Sequence, residues 1–273
     1  MKSTEQRNER SAHIHTMPLA EALALINDEN RRALDAVDAA LPQIAAVCEM
    51  MEHTVKNGGR IFYVGAGTSG RLGVLDAVEC PPTFGVSQDL FIGVLAGGYA
   101  CLATAGESNE DSAVFGRRDI VAAGVKAGDF VLGISAAGDA AYVVGALEYA
   151  KSCGASTAGL VNNRDTFVEK CADLTIFVDS GAEVITGSTR MKAGTTQKVV
   201  LNMLSTMTMV RCGYVYENLM INVKPTNRKL RERGINIVCE LCRCEREAAV
   251  CLLDAHGWNI REVVLGYGGN QRV

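Results

Sequence analysis

The stretch IFYVGAGTSGRLG places Gly65, Gly67 and Gly70 directly after a short apolar run. That spacing lets a backbone turn tightly and present its amides, with the Thr68 and Ser69 hydroxyls, at a helix start that favours anions. The same letters satisfy the dinucleotide pattern G-x-G-x-x-G, whose confirming feature is an acidic residue about 20 positions on, at the end of the next strand. Here Asp89 precedes the next apolar run instead of ending it. A phosphate monoester site, a dinucleotide site and a plain structural turn all stay open on this motif alone.

Two more hydroxyl-rich loops favour the phosphate. One is GISAAG (133–138), with Ser135; the other is ITGSTRMKAGTTQK (185–198), which leads into a long helical pattern. Ser188 and Thr189 are able to donate to phosphate oxygens, and Arg190, Lys192 and Lys198 bring positive charge to a helix start. The competing reading is that Ser188 and Thr189 simply cap that helix.

The elements that must carry these loops alternate. β-like runs are expected over 60–64, 91–96, 130–135, 156–161 and 174–178, with helical patterns between most of them. Strands that lack clean polar alternation and are separated by helices predict a sheet covered on both faces. The fold expected is α/β: a three-layer αβα sandwich with a mostly parallel sheet, a helical N-terminal arm and a short helical C-terminal tail. Ligands in such folds sit beyond the carboxyl ends of the strands. The arm is placed at 1–56, with apolar residues at helical spacing from Pro18, a residue suited to a first helical turn, to about His53. The main domain is placed at 57–223 and the tail at 224–273, with an irregular NLMINVKPTN segment before the tail's helices and a turn-rich GYGGNQRV after them.

A net charge of -4 offers no basic surface for nucleic acid. The polar amino terminus and the lack of a run of about 18 apolar residues argue against a signal core or a membrane span and predict a cytoplasmic protein. Ten cysteines are scattered through apolar surroundings, as small buried hydrophobes are. Cys239, Cys242, Cys244 and Cys251 with His256 invite a zinc reading, but a single C-x-x-C on a helical pattern favours core positions and no metal.

GAGTSGRLGVLDAVECPPTFG (65–85) and EVITGSTRMKAGTTQKVVLNMLST (183–206) resemble the signature blocks of N-acetylmuramic acid 6-phosphate etherases. TEQRN near the amino terminus, GYVYENLMINVKPTN and the tail are similar too, so the resemblance covers nearly the whole chain. It implies a SIS-type fold and a homodimeric lyase, with active sites shared between chains. The implied reaction splits the D-lactyl ether of N-acetylmuramic acid 6-phosphate into N-acetylglucosamine 6-phosphate and D-lactate, with no metal or organic cofactor. The sugar phosphate is the expected small-molecule partner, held by Gly67, Thr68, Ser69, Ser135, Glu183, Ser188, Thr189 and Lys192.

Elimination followed by hydration needs two proton handlers, best supplied by carboxyl groups with different environments. The resemblance maps them onto Glu79 and Glu110. Glu79 is expected at the end of a helix stopped by Pro81-Pro82, where the negative pole favours the acid form. Glu110, in SNED, is expected in a helix's first turn, with Ser108 as cap and Asp111 as its capping-box partner, where the positive pole favours the base. Glu79 is thus assigned as the acid and Glu110 as the base.

The second loop departs from the family pattern. Ala137 replaces a serine, Asp139 an arginine, and Ala140-Ala141 a threonine-proline pair; the tail is also shorter. A lost phosphate-facing hydroxyl and the repulsion expected from Asp139 raise an alternative: a non-catalytic sugar-phosphate-binding regulator resembling glucokinase regulatory protein.

Overall fold

The computed structural model describes residues 1–104, 110–225 and 227–268. Among them, five strands form one sheet: β1 (Ile61–Gly65), β2 (Phe91–Leu95), β3 (Phe130–Ser135), β4 (Ser156–Val161) and β5 (Leu174–Phe177), in the order β2-β1-β3-β4-β5. Every neighbouring pair is parallel, so the expectation of a mostly parallel sheet is met in full by these strands. β3 and β4 occupy their expected ranges, β1 is shifted by one residue at both ends, and β2 and β5 each end one residue early.

Parallel neighbours need crossovers. Here α3 (Gly67–Phe84), α4 (Ala113–Ala122), α5 (Ala141–Ser152) and α6 (Phe167–Cys171) follow the first four strands. Successive strand residues point to opposite faces. Phe62, Val64 and Val131 pack with Tyr142, Val143 and Leu147 around α5 on one face. On the other, α3 comes so close to the sheet that a Cβ on Gly93 would sit 2.6 Å from Val74. Helix, sheet and helix are the three expected layers.

The arm is two helices, α1 (Leu19–Asp38) and α2 (Leu41–Lys56), with Pro42 inside the first turn of α2. Pro18 caps α1 instead of entering its first turn. α2 packs on β1, β3 and β5, and the chain divides into one unit of residues 1–78 and 89–206 and a second of residues 79–88 and 207–273. The arm therefore belongs with the sheet, not in a part of its own.

α7 (Lys192–Arg211) is the long helix the pattern predicts. In the second unit, α8 (Arg228–Cys242), α9 (Arg246–Ala255) and α10 (Ile260–Gly268) enclose their own core of Ile235, Val238, Leu253 and Val263. Cys239, Cys242 and Cys244 pack against that core, while Cys251 and His256 are exposed. No three His, Cys, Asp or Glu are grouped to hold a metal among the described residues. The start of GYGGNQRV is helical, within α10; residues 269–273 lie outside the described residues. No described helix is long and apolar enough to cross a membrane.

Pro81-Pro82 do not stop α3, which runs on to Phe84. Proline's fixed φ suits a helix, but inside one it removes a hydrogen bond and crowds the carbonyl four residues back, a cost that α3 carries in its last turn. The chain leaves the helix at Gly85, whose φ of +65° falls in the left-handed region.

Candidate functional site

A cavity of about 380 Å³ opens at the carboxyl ends of β1 and β3. The turn after β1 lines it with Gly67, Thr68 and Ser69, and the loop after β3 with Ser135, Ala136, Ala137 and Asp139. Glu110, Asp111 and Thr189 complete the polar part of its wall. Six of the residues singled out from sequence thus meet in one place: Gly67, Thr68, Ser69, Glu110, Ser135 and Thr189.

Gly65 and Gly70 serve the turn itself. A Cβ on Gly70 would lie 2.4 Å from the Gly65 carbonyl oxygen, and one on Gly65 would lie 2.6 Å from Gly70 N. Gly67, with φ +53° and open space around its Cα, starts α3. The first amides of a helix have no partner within it, and in α3 they belong to residues that line the cavity. β2 ends at Leu95 and continues into Ala96, Gly97 and Gly98, so no acidic residue stands where a dinucleotide ribose would need one.

The hydroxyls differ in their engagements. Ser135 Oγ accepts from Gly138 N at 3.0 Å, which shapes the loop and leaves its own proton for a ligand. Ser69 Oγ donates to Gln197 Oε1 at 2.8 Å, so toward a ligand it is left only as an acceptor. Gln197 Nε2 donates to Asn162 Oδ1 at 3.0 Å, and Asn162 Nδ2 to Thr196 Oγ1 and the Val178 carbonyl, each at 3.0 Å. This buried polar network ties α3, the β4 and β5 ends and α7 together beneath the cavity.

Asp139 does not act as the uncompensated negative charge expected of it. Its carboxylate accepts from Phe167 N at 3.0 Å, at the start of α6, and pairs with Lys2. Burial pushes its pKa up, but the Lys2 and Phe167 contacts outweigh burial and hold it below the ordinary value.

The start of α7 is arranged otherwise than the sequence suggests. Glu183, fully buried, accepts from Lys192 N and Ala193 N at 2.9 Å each. The chain's own carboxylate therefore occupies that helix pole, and burial raises its pKa against these two bonds. Lys192 turns away from the cavity: its buried ammonium binds Glu29 Oε2 at 2.7 Å and the Ala182 carbonyl at 2.9 Å. Glu183, not Ser188 or Thr189, provides the cap, and neither hydroxyl has a hydrogen-bond partner among the described residues. Ser188 is half-buried off the cavity wall, and Arg190 and Lys198 are exposed.

Glu110 lines the cavity, but not from a helix's first turn. α4 begins at Ala113 and its cap is Ser112, whose Oγ accepts from Phe115 N at 3.3 Å, so Glu110 and Asp111 precede the helix. Ser108 lies outside the described residues. Tyr142 N donates to the Glu110 carbonyl at 3.0 Å, anchoring its backbone to α5. Glu79 sits exposed on α3, two residues before Pro81, in the second unit, and does not line this cavity. Neither glutamate therefore stands at the helix pole expected for it.

Sequence reading missed Lys2, Glu29, Asn162, Asn163 and Gln197. The Asn162-Asn163 pair directly after a strand was a visible signal; the pairing of Lys2 with Asp139 and of Glu29 with Lys192 joins residues far apart in sequence.

A phosphoheptose isomerase from Francisella tularensis has the same fold, with TM-score 0.54 at 18% identity, over 71% of this chain and 98% of that one. One from Neisseria gonorrhoeae gives TM-score 0.51 at 22% identity, over 71% and 99%. The family model of the glucokinase regulatory protein N-terminal SIS domain matches residues 43–151. Residues 43–151, which carry the glycine turn and the loop after β3, thus match a SIS domain, and the parallel sheet with its cavity beyond the carboxyl ends is consistent with that class. Curated relatives are closer still. An N-acetylmuramic acid 6-phosphate etherase from Francisella tularensis subsp. novicida is 50% identical over 238 residues, 87% of this chain and 81% of the relative. Another, from Bacillus licheniformis, is 45% identical over 263 residues, 96% and 86%. This chain belongs to the N-acetylmuramic acid 6-phosphate etherase family.

Proposed function

We propose that the protein is a cytoplasmic, homodimeric lyase that cleaves the D-lactyl ether of N-acetylmuramic acid 6-phosphate, giving N-acetylglucosamine 6-phosphate and D-lactate. The observation that carries this reading is the meeting of Glu110 with Gly67, Thr68, Ser135 and Thr189 in one cavity, in a chain half identical to etherases. The phosphate sits on the first amides of α3 and the Thr68 and Ser135 hydroxyls. The α7 start contributes through Thr189 alone; Glu183 and Lys192 hold that helix start in place, and Ser188 stays at the rim.

Glu110 removes the proton from the carbon beside the aldehyde of the open-chain sugar. Glu79 gives a proton to the ether oxygen as the bond to the neighbouring carbon breaks and lactate leaves, and water then adds across the carbon–carbon double bond. Glu79's exposure and its absence from the cavity wall support delivery of the acid by the second copy of the chain. The etherase names of the relatives, together with a carboxylate in the cavity, favour the enzyme over a non-catalytic regulator.

Mixing two inactive variants tests this arrangement. Glu79→Ala and Glu110→Ala proteins, unfolded and refolded together, are expected to recover about a quarter of wild-type turnover, because half of randomly paired dimers hold one intact shared site. No recovery in mixtures shown to contain mixed dimers would place both carboxylates on one chain.

A further inference from the structure

Residues 2–4 lie against the loop that follows β3. Lys2 Nζ donates to the Ala137 carbonyl at 2.7 Å and pairs with Asp139. Ser3 Oγ and Thr4 N donate to Asn163 Oδ1 at 3.1 and 3.4 Å, and Asn163 Nδ2 donates to Thr4 Oγ1 and the Ala136 carbonyl, each at 2.9 Å. Thr4 and Asn163 are buried. Ala136, Ala137 and Asp139 are cavity walls. One wall of the site is therefore held from behind by the first residues of the chain.

Charge makes this contact more than a brace. A carboxylate in the wall of a cavity that takes a phosphate repels the ligand unless its charge is cancelled. The Phe167 amide offers Asp139 only a dipole, and Lys170 acts on it at longer range, while Lys2 brings a full positive charge into contact. We propose that Lys2 tunes this cavity for its ligand: by neutralising Asp139 and fixing the Ala137 carbonyl, it lets the site accept a phosphate. The proposal rests on the sugar-phosphate reading above. Lys2 acts through Asp139 and is a positioning residue, since it does not itself line the cavity. A purely structural strap would be indifferent to the charge at position 139, and a charge-cancelling one is not.

The test is steady-state kinetics of full-length wild type, Lys2→Ala, and the double variant Lys2→Ala/Asp139→Ala with N-acetylmuramic acid 6-phosphate, alongside thermal stabilisation by N-acetylglucosamine 6-phosphate. Lys2→Ala is expected to raise KM about tenfold or more with kcat within about threefold, as fits loss of a charge-based binding effect. Removing Asp139 as well is expected to return KM to within about threefold of wild type. A wild-type KM in Lys2→Ala, or a double variant no better than the single, would overturn the proposal. Should Lys2→Ala lose its fold, Lys2→Gln keeps a donor for the Ala137 carbonyl without the charge, and its rescue by Asp139→Asn carries the same test. A wild type with no turnover sinks the lyase reading alone, and the inference is then read from stabilisation by N-acetylglucosamine 6-phosphate, lost in the single variant and regained in the double. A wild type that shows neither turnover nor stabilisation sinks both.

Discussion

The starts of α3 and α7 are built from the same kinds of residue, glycine with serine or threonine after a strand, and α7 adds a lysine. At α3 the first residues face an open cavity with Glu110 and Ser135 in its wall. At α7 two of the first amides are taken by Glu183, and the lysine is spent on Glu29. A positive helix pole needs an anion, but sequence does not say whether the anion comes from solution or from the chain. The deciding feature is burial: Glu183 and Lys192 are buried, whereas Gly67 and Thr68 keep a surface that a ligand can reach.

Four measurements bear on that contrast. The largest effect is expected at the α3 cavity: Glu110→Gln should lower kcat by about 10²–10⁴-fold, the usual worth of a general base, with the thermal midpoint unchanged. Near-normal turnover would remove the chemistry from this cavity. Next comes the α7 start, where Glu183→Ala leaves two buried amides bare and should cost about 2–6 kcal/mol of stability in chemical denaturation, at roughly 1–3 kcal/mol for each unsatisfied group. KM of the folded fraction should stay within about twofold; a large rise in KM with little loss of stability would make the α7 start a ligand site after all. Ser135→Ala should weigh more on binding, a rise in KM of about tenfold or more, since a hydrogen bond to a charged group is worth about 1.5–3 kcal/mol, while the single Gly138 amide it bares costs about 1–3 kcal/mol of stability.

The smallest effect is on the pH dependence of stability. For Glu29, burial works against ionisation, but Lys192, Asn8 and Arg10 outweigh it and hold its pKa below the ordinary 4.5. Its contribution is complete above that value and is lost as pH falls through the depressed one. Glu183 has the opposite sign: burial raises its pKa, so its ionisation opposes folding as pH climbs from 4.5 towards the raised value. Glu29→Gln should therefore flatten the acid limb of a thermal midpoint series, and Glu183→Gln should steepen it. Parallel curves for the two variants would contradict the assignment.

The sheet was legible because buried parallel strands are short apolar runs bounded by turn residues, and 130–135 and 156–161 have no competing pattern. The glycine turn was legible for the same local reason. Lys192 misled because a lysine beside Ser188 and Thr189 reads alike whether its partner is a phosphate or Glu29, 163 positions away. Lys2 was invisible: a polar amino terminus reads as a loose end until Asp139 and Asn163 are seen beside it. Pro81-Pro82 misled because the residue before a proline is biased out of the helical region, a bias that α3 overrides as it runs on to Phe84. The domain division hid for a related reason, since α3 and α7 each contribute residues to both units.

If this cavity performs elimination and hydration on a phosphorylated sugar ether, the sugar's new oxygen comes from water. Incubating the purified protein with N-acetylmuramic acid 6-phosphate in heavy-oxygen water and weighing both products should therefore give D-lactate without label and N-acetylglucosamine 6-phosphate carrying one heavy oxygen. Label in the lactate instead, or intact substrate that only stabilises the protein against heat, would contradict that chemistry.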